Sequence, residues 1–565
     1  MKVLKHLLLV CFPLLIFAQN KVDVYKISYD QYMNGKETNT TRTIFYQDQI
    51  VYFSKAEAKS QQFIDLKNNK SISTILFDNQ IYKKEMAIDS LPRPRVEDDT
   101  QFILGYPCKH ASFSYFSNKI DVWYTEKSLA KGTPHSSYLP NSNALVLKMI
   151  FNGNQTLIAT SIEKVKNYKP THNFLQNSQL VNSAEFEEII IKSRYNRLIV
   201  FDNEILNFDP NRMLPKESEL VTDKVYHFSK GSVIIKKIKI TPEMKASASV
   251  FAKVTCKSNG DAYDRTGSVF VMPAKKDMSK TLLEAYLYGL EKLPVFTDNN
   301  GNQYQGIKKE KGYAPPIEIL RFYTSFGVNY FNDKRKINNY NWADDVVYKG
   351  DVTSLIPIDE DEIWIGVFIG NYDSGGHIIS LELDSYPSIE EKENNTQSKY
   401  IDPLFLTVNT LEMSGQNYGG LFNNDTLAID FEITENIKNL SLLYTSTGHG
   451  GWDGGDEFTP RMNKIYVDGN EVFKIIPWRT DCATYRLSNP ASGNFKDGLS
   501  SSDLSRSNWC PGTLTSPYII SLSNLKKGKH HLEVVIEQGA NEGASTNHWN
   551  VSGVLIGDIE KTQIN

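Results

Sequence analysis

Carboxylates, cations, glycines and aromatic residues are combined in four stretches beyond residue 260. The stretches are 261–265 (Asp-Ala-Tyr-Asp-Arg), 351–353 (Asp-Val-Thr), 447–461, which contains Glu457, and 506–512 (Arg-Ser-Asn-Trp-Cys-Pro-Gly). A positioned carboxylate can move protons for an attacking water and a leaving nitrogen, and a cation can stabilise the negative charge that a carbonyl oxygen gains. Loops that bring such groups together in a cleft could therefore catalyse proton transfer to and from a bound substrate.

The same residues also allow simpler interpretations. An Asp-Arg pair at the start of a strand is commonly a turn residue beside a solvated cation, and Asp453, Asp456 and Glu457 lie among glycines, as in a calcium loop. Their spacing is not that of an EF-hand, and the adjacent His530 and His531 would point to opposite sides of a strand. We therefore predict no metal and no other cofactor.

The elements that must position these residues are β-strands. Short runs in which apolar and polar residues alternate recur along the chain, separated by Gly, Asn and Asp, and 12% of the residues are aromatic. This pattern, with little helix, predicts an all-β fold built from antiparallel sandwiches or jelly rolls.

The N-terminus predicts export. Lys2 and Lys5 precede the apolar run 7–17, and a small residue, Ala18, precedes Gln19. This is typical of a secretory signal cleaved after Ala18, and the run is too short to anchor the protein in a membrane. The mature protein is expected to be secreted or periplasmic, and its net charge of -4 argues against nucleic acid as a partner.

The mature chain would keep four cysteines. Cys482 and Cys510 close a loop that is rich in Gly, Ser and Asn and has little apolar content, so we predict that these two form a disulfide. Cys108 and Cys256 fall in different predicted domains, and the sequence does not determine whether they pair.

The order and spacing of the four stretches resemble the core of the PNGase F family, from about residue 195 to about residue 560. The resemblance implies two adjacent antiparallel jelly-roll sandwiches preceded by a separate β-rich N-terminal domain. The predicted boundaries are a signal peptide at 1–18, a β-rich accessory domain at 19–190, a first jelly roll with Asp264 at 191–390 and a second jelly roll with Glu457 at 391–565.

The resemblance also implies an activity. Such a protein would be an amidase acting on a linear amide, the bond that joins an N-linked glycan to asparagine in glycoproteins and glycopeptides. It would release the intact glycan as a glycosylamine and leave aspartate in the peptide. We expect a monomer with no membrane partner.

By the same resemblance, Asp264 is the principal catalytic carboxylate, in contact with the amide and the first N-acetylglucosamine. Glu457 is the second carboxylate, and Arg506 pairs with it beside the reacting water. The residues expected to bind substrate are Asp261, Arg265, Tyr372, Arg506 and Trp509.

Two departures from the family pattern stand out. The family's third carboxylate, a glutamate, falls at Gly370, and Gly455 and Thr459 replace a cysteine pair that often brackets the second carboxylate. The first departure reduces three acids to two unless another residue substitutes, and it leaves space beside the first sugar. We therefore hypothesise that the enzyme tolerates a core fucose.

Two other functions remain open for this sequence. One is a non-catalytic N-glycan-binding protein, which would keep aromatic platforms while losing carboxylates. The other is an endoglycosidase that uses the same two carboxylates. The products separate the three possibilities, because only an amidase converts asparagine to aspartate.

Overall fold

The computed structural model describes residues 23–53, 59–90, 93–135, 138–166, 174–175, 177–272, 279–387, 399–450, 454–493, 500–543 and 545–560. The predicted signal peptide at 1–18, the predicted domain boundary at 390/391 and Asp453 lie outside these residues. Within the described ranges, no helix has both the length and the apolar character needed to cross a membrane. The chain divides into two compact units, Met1–Ser193 and Arg194–Asn565.

Unit 1 is built on one twelve-stranded sheet with the order β12-β6-β5-β4-β3-β2-β1-β11-β10-β9-β8-β7. Neighbouring strands are antiparallel except β12, which runs parallel to β6. A helix, α1, follows the last strand, and the side chain of Asn182 caps its first turn. The elements are β1 (Val24–Met33), β2 (Lys36–Gln47), β3 (Ile50–Phe53), β4 (Ser60–Asp65), β5 (Lys70–Phe77), β6 (Gln80–Ala87), β7 (Arg95–Ile103), β8 (Tyr106–Tyr115), β9 (Asn118–Thr125), β10 (Leu145–Phe151), β11 (Gln155–Val165), β12 (Gln179–Leu180) and α1 (Ser183–Lys192).

Unit 2 contains two antiparallel sandwiches, so the all-β prediction is confirmed. The elements of the first half are β13 (Asn196–Leu206), β14 (Val225–Phe228), β15 (Val233–Lys239), α2 (Pro242–Lys245), β16 (Ser247–Ser258), β17 (Thr266–Met272), α3 (Leu282–Tyr288), β18 (Val295–Thr297), β19 (Gln303–Gln305), β20 (Ile317–Tyr323), β21 (Val346–Asp351), β22 (Glu362–Ile369) and β23 (His377–Pro387). Those of the second half are β24 (Lys399–Leu406), α4 (Leu421–Asn424), β25 (Leu427–Ile433), β26 (Ile437–His449), β27 (Asn463–Val467), β28 (Asn470–Ile475), β29 (Leu514–Thr515), β30 (Tyr518–Ser521), β31 (Gly528–Ile536) and β32 (His548–Ile559).

The first sandwich packs the sheet β13-β23-β16-β21 against the sheet β14-β15-β22-β17-β20-β29, and the second packs β24-β32-β26-β30 against β25-β31-β27-β28. Each has a core of buried Val, Ile, Leu and Phe drawn mainly from its own two sheets, and Leu443 and Val554 of the second sandwich join the core of the first. Alternate residues of a strand point to opposite faces, so one face of each sheet supplies this core. The loops at the strand ends remain available to form a site.

The two sandwiches are joined by one strand that pairs across the halves of the unit and by a buried ion pair. Strand β29 comes from the second half of the unit but pairs with β20 of the first sandwich. On β20, Arg321 donates two hydrogen bonds of 2.7 Å to Glu318, and both side chains are almost fully buried. Arg321 also donates to the carbonyl of Asn550, and Ser552 donates to Glu318, both from β32. Since a buried charge is tolerated only when it is paired, this network holds the sandwiches in one arrangement.

Candidate active site

A cavity of about 220 Å³ lies where strand ends of the first sandwich meet strand ends and loops of the second. It is lined by Asp264, Arg265, Thr266, Tyr323, Phe368, Gly370, Asn409, Glu412, Tyr418, His449, Gly450, Glu457, Trp509, His548 and Asn550. Of the residues expected to act, it therefore brings together Asp264, Arg265, Glu457 and Trp509. Four residues that the sequence analysis did not select, Asn409, Glu412, Tyr418 and His548, share the same cavity.

Asp264 lies just before β17 in a short irregular segment, and only 15% of the Asp264 side chain is exposed. Burial raises the pKa of its carboxyl group, while the positive charges of Arg506 and Arg265 act in the opposite direction. Its Oδ2 lies 3.4 Å from Nη2 of Arg506 but accepts no hydrogen bond from the described residues. The carboxyl group thus keeps capacity for a further partner and holds a proton more readily than an exposed aspartate.

Arg506 links the two predicted catalytic acids. Its Nη1 contacts Oε1 of Glu457, its Nη2 faces Asp264, and only 1% of its side chain is exposed. The guanidinium lies over the rings of Trp509 and Phe458, 4.5 Å and 4.9 Å from their centroids. A planar cation suits this position because its faces pack on aromatic rings while its edge binds carboxylates.

The loop that carries Glu457 is held by its neighbour, Asp456. This carboxylate is fully buried and accepts hydrogen bonds from Arg461 at 2.7 Å, from the Trp549 indole at 2.8 Å and from the backbone N–H of Gly539. Asp456 therefore anchors this loop by hydrogen bonds, in a segment where positions 455 and 459 are glycine and threonine. It is also committed to these partners rather than to a calcium ion.

Arg265 and Asp261 form a pair of their own. Asp261 has no exposed surface, and its two oxygens accept hydrogen bonds from Nε and Nη2 of Arg265 at 2.9 Å and 3.3 Å. The geometry gives Asp261 the task of positioning Arg265, which lines the cavity, rather than contacting a ligand itself. The guanidinium also lies 5.0 Å from the ring centroid of Tyr263 and 5.8 Å from that of Tyr372.

The two expected sugar platforms differ in exposure. Trp509 is only 3% exposed, stacks on Tyr323 with ring centroids 4.3 Å apart, and donates its indole N–H to the carbonyl of Gly448. Its ring therefore supports Arg506 from within the wall instead of offering an open face. Tyr372 is 55% exposed, but it lies outside the cavity lining and donates its hydroxyl to Glu412.

A carboxylate lies close to the position of the missing third acid. A Cβ atom built on Gly370 would be 3.4 Å from Oε2 of Glu412 and 3.3 Å from the ring of Phe368. Glu412 accepts hydrogen bonds from the hydroxyls of Tyr372 and Tyr418. It lies in a different sandwich from Gly370, so spacing along the β22 strand could not have indicated it.

Two histidines, His449 and His548, lie in the cavity wall. Burial lowers the pKa of His449 well below its ordinary value and lowers that of His548 to about 4. The rings stack with centroids 5.0 Å apart, and His449 Nε2 lies within hydrogen-bond distance of Tyr323 and Thr447. These contacts fit a structural role for His449. Among the described residues, no group of three or more His, Cys, Asp or Glu side chains is arranged to hold a metal.

The predicted disulfide between Cys482 and Cys510 is confirmed. It fixes the backbone directly beside Trp509, and the nearby Arg479 exchanges two backbone hydrogen bonds with Arg506. The cross-link thus supports the segment that delivers Arg506. Cys108 and Cys256 are both buried and free.

Three models of known protein families match this chain. The family model for the N-terminal part of peptide-N-glycosidase F matches residues 197–385, and that for its C-terminal part matches residues 417–556. An N-glycanase N-terminal domain model matches residues 14–186. The comparison with curated proteins gives no match.

Solved structures give the same assignment. The chain is 40% identical to PNGF-II in two crystal forms, with TM-scores of 0.83 and 0.79, covering 95% and 96% of this chain and 100% and 99% of those chains. A structure of PNGase F, a glycosylasparaginase from Flavobacterium meningosepticum, matches at 15% identity and a TM-score of 0.43, covering 65% of this chain and 96% of that one. The family models and the PNGF-II structures place the chain among the N-glycanase amidases. The chain belongs to the peptide-N-glycosidase F family.

Proposed function

We propose that this protein hydrolyses the β-aspartylglucosaminyl amide bond of N-linked glycoproteins and glycopeptides. The products would be the intact glycan, released as a glycosylamine, and a peptide with aspartate in place of asparagine. The observation that carries the proposal is the position of Arg506, which holds one carboxylate from each sandwich, Asp264 and Glu457, at a single cavity.

The chemistry follows from the state of each group. The raised pKa of Asp264 lets its carboxyl group hold a proton and pass it to the leaving nitrogen. Glu457 is partly exposed and paired with a cation, so it can accept a hydrogen bond from an attacking water and take its proton. Arg265, which lines the cavity, offers N–H donors to the oxygen on which negative charge develops, and Arg506 adds a positive charge from within the wall.

The disulfide fits an exported enzyme. Disulfides persist outside the reducing cytoplasm, and N-linked glycoproteins are displayed on cell surfaces and in secretions. We infer that the protein acts as a monomer in an extracellular or periplasmic compartment.

Mass spectrometry of one reaction tests the function. A single-site glycopeptide is incubated with the enzyme in ¹⁸O-labelled water, and Asp264→Asn serves as the matched control. We expect a peptide that carries aspartate with one ¹⁸O atom. A peptide that keeps asparagine and one N-acetylglucosamine would identify an endoglycosidase, and an unchanged glycopeptide that still binds would identify a lectin.

We further propose that Gly370 admits a fucose on the first N-acetylglucosamine. Glycine removes the side chain that the family places on this cavity wall, and the wall keeps a carboxylate through Glu412. In Gly370→Glu, the rate on a core-fucosylated glycopeptide should therefore fall relative to the rate on the matched glycopeptide without fucose. Gly370→Gln controls for the charge that a new glutamate would place beside Glu412. Equal relative rates in all three proteins would contradict this proposal.

A further inference from the structure

Asn409 contributes a buried side-chain amide to the wall of the cavity. Its side chain lines the cavity, and the residue is only 6% exposed. Among the described residues, neither Nδ2 nor Oδ1 of Asn409 has a hydrogen-bond partner. Buried polar side chains are nearly always paired in folded proteins, so an amide that lacks both of its partners calls for an explanation.

The segment around Asn409 holds the side chain in place. Thr407 donates its hydroxyl to the carbonyl of Trp549 at 2.7 Å and accepts from the N–H of Val551 at 2.8 Å. The backbone carbonyl of Asn409 accepts from the N–H of Glu412 at 3.1 Å. Because residues 407–411 are all buried, the amide is fixed before any ligand arrives.

The chemistry of a primary amide defines what can pair with it. Nδ2 donates and Oδ1 accepts along one edge of a planar group. A secondary amide presents its N–H and its carbonyl in opposite directions and cannot satisfy both atoms at once. A sugar ring can, because neighbouring carbons carry oxygens side by side, and a hydroxyl both donates and accepts.

We propose that Asn409 binds two neighbouring oxygens of a sugar ring in the cavity, accepting from one hydroxyl through Oδ1 and donating to the adjacent oxygen through Nδ2. This inference rests on the proposed function, since it assumes that the occupant of the cavity is a glycan. It makes Asn409 a substrate-binding residue that recognises the sugar through hydrogen bonds.

The inference predicts that replacing Asn409 affects the stability of the protein and its binding of sugar differently. An amide that is unpaired in the free protein destabilises the fold, so an apolar side chain of similar size should not lower the melting temperature. The same change would remove both hydrogen bonds to the sugar. A residue that serves only the fold would show the opposite pattern, with lower stability and unchanged binding.

The test uses the full-length mature protein and three variants. Asn409→Leu keeps the volume, and Asn409→Ala removes the amide without adding bulk. Ser385→Ala removes another buried polar group that has no hydrogen-bond partner in the described ranges, on β23 and outside the cavity lining. Melting temperature is measured by calorimetry. Binding of the β-1,4-linked disaccharide of N-acetylglucosamine is measured by titration calorimetry, and kcat/KM is measured on a glycopeptide.

We expect both Asn409 variants to weaken disaccharide binding at least fivefold, Asn409→Leu to melt no lower than wild type, and Ser385→Ala to bind as wild type does. A smaller loss in either Asn409 variant, a lower melting temperature for Asn409→Leu, or no binding by wild type would overturn the inference. If wild type binds the disaccharide through Asn409 but cleaves no glycopeptide, the proposed function fails and this inference stands. If wild type cleaves the glycopeptide and the variants bind and cleave equally well, the proposed function stands and this inference fails.

Discussion

Replacing Arg506 by methionine should lower the free energy of unfolding by about 3 kcal/mol at pH 7, because it leaves two poorly solvated carboxylates without their cation. Removing one partner of a buried ion pair costs about 3–5 kcal/mol. Here Asp264 and Glu457 keep 15% and 19% of their side-chain exposure, so water offsets part of the cost and the lower end applies.

The loss should depend on pH. Burial already raises the pKa of Asp264, and Arg506 is the main charge that opposes the rise. Without Arg506 the pKa rises further, so the folded variant takes up protons at a higher pH than wild type does. Since a protonated carboxyl group needs no cation, the stability difference between the two proteins should shrink between pH 7 and pH 4.5.

Urea unfolding followed by tryptophan fluorescence measures the difference as a shift in midpoint at constant slope. Arg197→Met is a matched control, because Arg197 pairs at 2.7 Å with Asp384, a carboxylate that is 3% exposed and lies outside the cavity lining. Both variants should lose stability. Only Arg506→Met should lose kcat/KM, by about a hundredfold or more, as expected for a donor that stabilises developing charge.

Two results would refute this reasoning. An unchanged midpoint at pH 7 would show that the carboxylates do not depend on Arg506 for their charge. A stability difference that widens on acidification would show that the lost interaction involves groups other than these two acids.

Three further predictions follow from the same structure. Asp264→Asn should retain less than a tenth of wild-type kcat while still binding the glycopeptide. Because folding raises the pKa of Asp264, its contribution to stability is present at low pH and lost as pH rises through the raised pKa, so the change in urea midpoint caused by Asp264→Asn should be more favourable at pH 7 than at pH 4. Replacing both Cys482 and Cys510 by serine should cost about 3 kcal/mol, since the disulfide closes a loop with a sequence separation of 28. It should also lower kcat/KM through the displaced Arg506, and a variant with the wild-type urea midpoint would contradict both expectations. Prolonged treatment with EDTA should leave the rate unchanged, and activity that is lost and then restored by a divalent cation would show a metal requirement.

Much of the architecture could be predicted from local patterns. Alternating apolar residues and frequent turn residues indicated strands along most of the chain, because each strand must bury one face. The disulfide could be predicted because a long polar loop closed by two cysteines in an exported chain needs a cross-link. The motifs around Asp264 and Glu457 pointed to side chains that line one cavity, and Arg506 contacts both from within the wall.

Exposure could not be predicted in the same way. Trp509 and Tyr372 are both aromatic residues in loops, yet one is buried beneath Arg506 and the other is open to solvent. Asp261 and Asp264 belong to one motif, but both oxygens of Asp261 bind Arg265, while Oδ2 of Asp264 accepts no hydrogen bond within the described part of the chain. The burial of a side chain depends on which residues of other strands and loops pack against it, and the spacing of residues within a motif does not indicate those contacts.

Residue types and local periodicity by themselves determined the class of fold and the cross-link, and the resemblance of four motifs to a family pointed to Asp264 and Glu457 as the acids. Only the tertiary structure decided which further groups join them. Asn409 and Glu412 follow β24 and lie more than a hundred residues from Asp264 along the chain, yet they reach the same cavity because β24 pairs with β32 and the two sandwiches pack together. The physical reason is that strand pairing and side-chain packing act between distant segments, so the partners of a residue are fixed by the whole fold rather than by its neighbours in sequence.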